Sequence, residues 1–390
     1  MEVVRVTVRV NVAPELLRWA IRRKGWDEET ALQHAPKLRA WLAETERPTL
    51  KQLEKFAKGT HTPLGLLFLP EPPEEAVPIP DMRTMGNLGV EQPSADLLDT
   101  IYLCQRRQDW YREYALLNGF EKLSFVGSVT VNAPVVLVAE QIRGVLGFGL
   151  EERAAFPNWE QALRQLIDRI EDAGVLVMVN GVVGSNTHRR LDPSEFRGFA
   201  LADPLVPLIF VNGADTKAAQ IFTLIHELAH IWLGNSALSD AAMTAGGGPE
   251  EELWCNQVAA EVLVPMTALL ADFEGSVTVD ELERLAKCYC VSTLVVLKRL
   301  YDANAISWAE YLKAYETEKQ RVMDILAERR RDKGGGNYYY TQPLRLSRTF
   351  SRAVVESAFE GSTSYREAYQ LLGTKKRTTF ENLAEELGVA

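Results

Sequence analysis

Residues 222–234 read FTLIHELAHIWLG, and the interpretation of the whole chain starts from this stretch. Residues four apart on a helix lie on one face, so His226 and His230 point to the same place. Two imidazoles at that spacing bind one Zn²⁺. The neighbouring residues are almost all apolar, which predicts a helix buried nearly all round, where two histidines need a partner. The spacing therefore predicts a metal site made by His226 and His230.

Glu227 follows His226 directly and can reach a water bound to that metal. Because the metal lowers the pKa of the water, Glu227 is predicted to take its proton and later to protonate a leaving amine. A group that stabilises the oxyanion is also expected in such a site. His188 is the candidate for this group, and the other interpretation is a solvated basic loop made with Arg189 and Arg190.

A catalytic zinc site takes a third protein ligand and leaves the fourth position open to water. Residues 250–265 read EEELWCNQVAAEVLVP, and Glu252 is predicted as this ligand, in a gluzincin-like arrangement. Asn256, one turn later, is placed to bond a histidine ring. Glu251 and Glu261 are rival ligands, and Glu261 is otherwise a buried acid satisfied by backbone or arginine. The ligand set suits Zn²⁺, although Mn²⁺ or Fe²⁺ could bind instead.

The hydrophobic pattern predicts an α+β fold that is mostly helical and has a small sheet, and the HExxH motif predicts that its core is zincin-like. Residues 174–180, GVLVMVN, form a continuous apolar run typical of a buried strand. Residues 196–202 and 208–211 are predicted strands, and 196–202 is either an edge strand that binds the substrate backbone or a purely structural strand. Helices are predicted at 97–117, 134–147, 159–173, 216–234, 250–263 and, as a pair, within 279–303. In the first 69 residues, Pro14 opens a predicted helix that Gly25 ends, and further helices are predicted at 27–36, 37–44 and 50–59. In the last residues, a flexible glycine-rich segment is predicted at 334–341 and helices at 346–360 and 364–372.

Composition bounds the class of protein. The 390 residues carry a net charge of −10 and contain only 4 cysteines, which argues against a secreted disulfide scaffold. The first residues, MEVVRVTVRVNV, alternate as a strand does and lack the apolar segment of a signal peptide. The sequence contains no run of about 18 apolar residues, so no membrane-spanning helix is predicted. We therefore expect a cytoplasmic protein with no membrane partner.

Residues 70–80 contain five prolines and three acids, which is typical of a stiff connector. Together with the family resemblances given below, which imply the two helix-turn-helix-like parts, the predicted organisation is a helix-turn-helix-like head at 1–69, a proline-rich linker at 70–96, a zinc metallopeptidase core at 97–275, a helix-turn-helix-like helical module at 276–334 and a helical C-terminal region at 335–390.

The order HELAHIWLG, then EELWCNQVAAEVLVP, resembles the ImmA/IrrE family of zinc metallo-endopeptidases, and the resemblance extends from about Trp159 to Ala303. It implies His226, His230 and Glu252 as zinc ligands. It also implies Glu227 as the base and a cytoplasmic protein that cleaves a helix-turn-helix repressor or an antitoxin, in a stress, prophage or toxin–antitoxin response.

Residues 39–70, RAWLAETERPTLKQLEKFAKGTHTPLGLLFLP, resemble the XRE-type helix-turn-helix domains fused in front of such peptidases. The resemblance implies DNA binding through residues 1–69, with Lys37 and Arg39 as tentative phosphate contacts. Residues 32–41 are poor in the side chains that read base edges, so docking of a protein partner is the alternative. For the whole chain, the alternative function is a DNA-binding regulator with a structural or vestigial zinc site.

Overall fold

The computed structural model describes residues 8–81, 93–154, 156, 158–239, 250–329 and 345–389. The chain divides into two compact units, one made of Met1–Pro78 with Val90–Asp99 and the other of Ile79–Gly89 with Thr100–Ala390. The described residues are mostly helical and include a small mixed sheet, which confirms the predicted α+β class. The five-part division of the chain stays a prediction.

The first unit is a small helical domain. Its elements are α1 (Pro14–Lys24), α2 (Glu28–His34), α3 (Leu38–Leu42), α4 (Leu50–Gly59) and a 3₁₀ helix (Leu64–Phe68). Pro14 opens α1, and Gly25 ends it in the left-handed conformation that favours glycine. Thr49 and Gln52 form a capping box at the start of α4. These local signals explain why the predicted helices agree with the observed ones.

The proline-rich segment is tied to α1 within this unit. The buried guanidinium of Arg23 donates to Glu75 at 2.8 Å and to the carbonyl of His61 at 2.9 Å. The predicted N-terminal strand lies largely outside the described residues, and its described part forms an isolated antiparallel bridge between Arg9 and Thr49.

The second unit holds the sheet and the long helices. The strands are β1 (Leu176–Asn180), β2 (Val182–Val183), β3 (Asn186–Arg190), β4 (Gly198–Leu201), β5 (Leu208–Asn212) and β6 (Ala237–Ser239). The helices are α5 (Ala95–Leu117, of which the residues before Thr100 belong to the first unit), α6 (Val135–Leu146), α7 (Leu150–Ala154), α8 (Trp159–Asp172), α9 (Lys217–Leu233), α10 (Glu250–Leu263), α11 (Met266–Asp272), α12 (Val279–Tyr289), α13 (Thr293–Asp302), α14 (Trp308–Arg329), α15 (Arg348–Phe359), α16 (Tyr365–Leu372) and α17 (Arg377–Glu386).

The main sheet has the strand order β1-β5-β4-β6. β1 and β5 are parallel, whereas β4 is antiparallel to both β5 and β6. β4 therefore has a partner on each side, which contradicts the first of the two interpretations of residues 196–202, the edge strand, and agrees with the second, a structural strand. The short strand β6, which the hydrophobic pattern did not reveal, takes the edge, and its Leu238 amide donates to the carbonyl of Pro80 at 2.9 Å.

The helix α9 lies in the centre of this unit and packs on the sheet, α8 and α10. The segment before α6 holds the C-terminal end of α9 in place. The amides of Gly127 and Val129 donate to the carbonyls of Ile231 and Trp232, at 3.1 and 3.3 Å. These bonds add to the helix cap, in which the Gly234 amide already donates to the Ile231 carbonyl at 3.0 Å. The ring of Phe125 stacks on Trp232 at 4.2 Å.

The C-terminal region packs on α5. Arg107 donates to the carbonyl of Leu371 at 3.1 Å, and Phe350 contacts Trp110 and Tyr111. Two of its helices were predicted, α17 was not, and the glycine-rich segment 334–341 lies outside the described residues. Among the described helices, none by itself is long and apolar enough to cross a membrane, whereas the bent pair α10 and α11 passes that test when taken together.

Candidate metal centre

The local sequence of α9 places the two histidines. The Thr216 side chain caps the first turn, and Gly234 ends the helix in the left-handed conformation. All residues from Gln220 to Trp232 are buried, as the apolar flanks predicted. His226 and His230 therefore lie on one face of α9, and both are buried.

Three side chains converge on one point. The Nε2 atoms of His226 and His230 lie 3.2 Å apart. The Glu252 carboxylate lies 3.3 Å from the Nε2 of His226 and 3.1 Å from that of His230. All three residues are buried, and their donor atoms form the one group of histidine, cysteine and acidic ligands found among the described residues.

These distances fit a bound metal ion. Ligands placed tetrahedrally at about 2.0–2.1 Å from Zn²⁺ are about 3.3 Å from one another. The two Nε2 atoms have this spacing, and each lies at a similar distance from one oxygen of Glu252, Oε2 for His226 and Oε1 for His230. Burial by itself raises the pKa of Glu252, but the charges of His226 and His230 lower it well below its usual range. A buried carboxylate between two imidazoles is a site that attracts a cation.

The other side of the His230 ring is also occupied. Its Nδ1 lies 3.1 Å from Glu251 Oε1. Burial lowers the pKa of His230, but Cys255, Glu251 and Glu252 raise it well above the ordinary value.

Asn256 does not make the predicted bond to a histidine. Its Oδ1 is buried without a hydrogen-bond partner among the described residues, and so is the Nδ1 of His226. On His230 the bond is made by Glu251 instead. Glu251 was considered only as a rival ligand, because the sequence does not show how α10 is rotated about its axis against α9.

Glu227 is fully buried on α9 beside strand β4. A Cβ atom added at Gly198 would lie 3.1 Å from Glu227 Oε1, 2.8 Å from the Phe210 carbonyl oxygen and 2.6 Å from Thr223 Cγ2. Only glycine lets β4 approach the helix this closely. Sequence reasoning missed Gly198, although a glycine inside a strand is a known sign of close backbone approach.

The remaining rival ligand has a structural partner. Glu261 is buried at the other end of α10, where it forms an ion pair with Arg299 and accepts a bond from the Met266 amide at 3.4 Å. Of the two interpretations of Glu261, a rival metal ligand or a buried acid satisfied by backbone or arginine, the structure agrees with the second.

The other candidate residues lie elsewhere. His188 is exposed on β3 and Arg189 is buried, so the structure forms a strand there instead of a basic loop and does not bring His188 into the buried cluster. Lys37 and Arg39 are exposed and pair with Glu46 at 2.7 Å and with Glu28 at 3.0 Å.

Residues 170–301 match the model of peptidase family M78, described as the IrrE N-terminal-like domain. This match covers α9, α10 and the three converging side chains, and it supports a metallopeptidase domain in this part of the chain. Residues 346–386 match a domain of unknown function, DUF8813. No curated protein matches the chain. The resemblance of residues 39–70 to XRE-type domains stays a prediction.

Proposed function

We propose that this chain is a zinc-dependent endopeptidase that cleaves a protein substrate. The observation that carries the proposal is the convergence of His226, His230 and Glu252, with Glu227 buried beside them on α9. His226 and His230 would hold the ion through Nε2, and Glu252 would hold it through its carboxylate. Mn²⁺ or Fe²⁺ would fit the same donors, but two imidazoles and a carboxylate are typical of catalytic zinc sites.

A structural zinc site would need a fourth protein ligand. The group formed by the described residues has three members, which favours a site with one open position. This difference supports the endopeptidase over the alternative of a DNA-binding regulator with a structural zinc site. When bound, zinc would polarise a peptide carbonyl and lower the pKa of a water molecule.

The role that we assign to Glu227 is to accept the proton of that water at its carboxylate and to return it to the leaving amine. The close packing of Gly198 against Glu227 supports this role, because it restricts the positions that the carboxylate can take.

We propose a helix-turn-helix repressor or an antitoxin as the substrate, in a stress or prophage response. This proposal rests on the family resemblance and on the match over residues 170–301. For residues 1–69 the ion pairs of Lys37 and Arg39 favour the binding of a protein partner, because side chains neutralised by acids are poorer phosphate contacts.

The experiment compares the unchanged protein with Glu227→Gln, and uses Glu250→Gln as the matched control, since Glu250 is an exposed acid in the first turn of α10. The probes are unfolded casein and the repressors encoded beside its gene. We expect one zinc per chain in all three proteins and a loss of cleavage of at least about a thousandfold only in Glu227→Gln. Equal cleavage by Glu227→Gln, or a zinc-loaded protein that cleaves no probe, would contradict the proposal.

A further inference from the structure

The two nitrogens of the His230 ring face different groups. Nε2 faces the converging donors, at 3.1 Å from Glu252 and 3.2 Å from His226. Nδ1 faces Glu251 Oε1 at 3.1 Å. Since an ionised carboxylate can only accept a hydrogen bond, this contact requires the proton on Nδ1. In the neutral imidazole, the lone pair is then on Nε2 and points at the metal position.

Glu251 is itself held in place. Its Oε2 accepts a bond from the side-chain amide of Asn235 at 3.1 Å, and the backbone amide of Asn235 donates to the His230 carbonyl at 3.1 Å. These contacts close a loop that joins the last turn of α9 to the first turn of α10. The carboxylate of Glu251 therefore has a fixed direction when it meets the ring.

The other histidine has no equivalent support. The Nδ1 of His226 is buried without a hydrogen-bond partner in the described part of the chain. Of the two imidazoles, only His230 is thus oriented by a carboxylate. In metal sites such a contact fixes the tautomer and raises the basicity of the ligand, and losing it weakens metal binding by about 10–100-fold.

We propose that Glu251 is the positioning residue of the metal site, which orients His230 and sets its tautomer so that Nε2 binds the ion, with Asn235 as the anchor of Glu251. This inference rests on the proposed zinc site. It gives two adjacent acids different roles. Glu252 contacts the metal position itself, whereas Glu251 acts through His230.

The test measures zinc affinity by competition with a chelating dye, in the full-length protein. We expect Glu251→Ala to bind zinc about 10–100-fold more weakly, and Glu251→Gln to recover most of that loss because its amide oxygen still accepts the bond from Nδ1. Asn235→Ala should give a smaller loss in the same direction. Glu250→Ala, on the exposed side of the same turn, is the matched control and should keep the affinity unchanged.

A second readout separates positioning from a general loss of packing. The visible absorption spectrum of the Co²⁺-substituted protein reports the ligand geometry, and we expect it to change in Glu251→Ala and to return in Glu251→Gln. Equal zinc affinity in Glu251→Ala and the unchanged protein, or no recovery in Glu251→Gln, would overturn the inference. An unchanged protein that binds no zinc would overturn the proposed metal site itself.

Discussion

The two ends of α10 each bury a carboxylate, but they bury it against different partners. Glu252, near the N-terminus, faces the imidazoles of His226 and His230. Glu261, near the C-terminus, faces the guanidinium of Arg299. A guanidinium is permanently charged and satisfies the acid by itself, whereas two imidazoles leave a place for a cation. The partner, and not burial alone, decides which acid belongs to a site.

The helix itself favours this division. Three acids occupy its first turn, where the N-terminal end of the helix dipole stabilises negative charge. Around its last turn, Arg143 donates to the carbonyl of Glu261, Arg153 to that of Leu263 and Arg299 to that of Val264. The N-terminal end of α10 thus carries the acids of the proposed metal site, and its C-terminal end carries contacts that stabilise the fold.

The largest effect that tests this comparison is expected for Glu252→Ala. Removing one of three ligands should reduce the zinc content from one ion per chain to background, while the helical circular dichroism signal stays unchanged. Elemental analysis after dialysis measures this content. Full zinc content in Glu252→Ala would show that the third ligand lies elsewhere and would break the comparison at its functional end.

Glu261→Ala should have the opposite profile. It leaves the buried Arg299 charge without its carboxylate, so we expect a loss of about 3–5 kcal/mol in the free energy of unfolding. The zinc content measured under native conditions should remain at one ion per chain. Replacing both Glu261 and Arg299 by leucine is the control, because removing the pair together should restore most of the stability. A zinc loss in Glu261→Ala without any loss of stability would contradict the structural role.

Gly198→Ala extends the comparison to the strand beside α9 and should have a smaller effect. The added Cβ would overlap Thr223 Cγ2 and the Phe210 carbonyl, so we expect a loss of about 1–3 kcal/mol and a displaced Glu227. The zinc content should be retained while cleavage falls. Gly65→Ala, where an added Cβ has no heavy atom within 4 Å, is the control. Unchanged stability in Gly198→Ala would show that β4 can move away from the helix.

Much of the fold could be predicted because its signals are local. The bounds of α4 and α10 agree with the predicted ranges at both ends. Helix ends are marked by residues with known end preferences, namely Pro14 in a first turn, Thr49 and Thr216 as side-chain caps and Gly234 in the left-handed conformation. The placement of His226 and His230 on one face also needs only the helical repeat. Strands as short as β6 carry too few residues for a pattern, so its pairing with β4 could not be predicted.

By itself, the sequence determined the pair of histidines, the neighbouring Glu227 and a short list of acids for the third ligand. Only the tertiary structure separated those acids, because residues 251 and 252 differ by about 100° around the helix and their roles depend on how α10 is rotated against α9. It also placed Glu251 behind His230, paired Glu261 with Arg299 and brought Gly198 against Glu227. These contacts join residues far apart in the chain, and no local pattern specifies them.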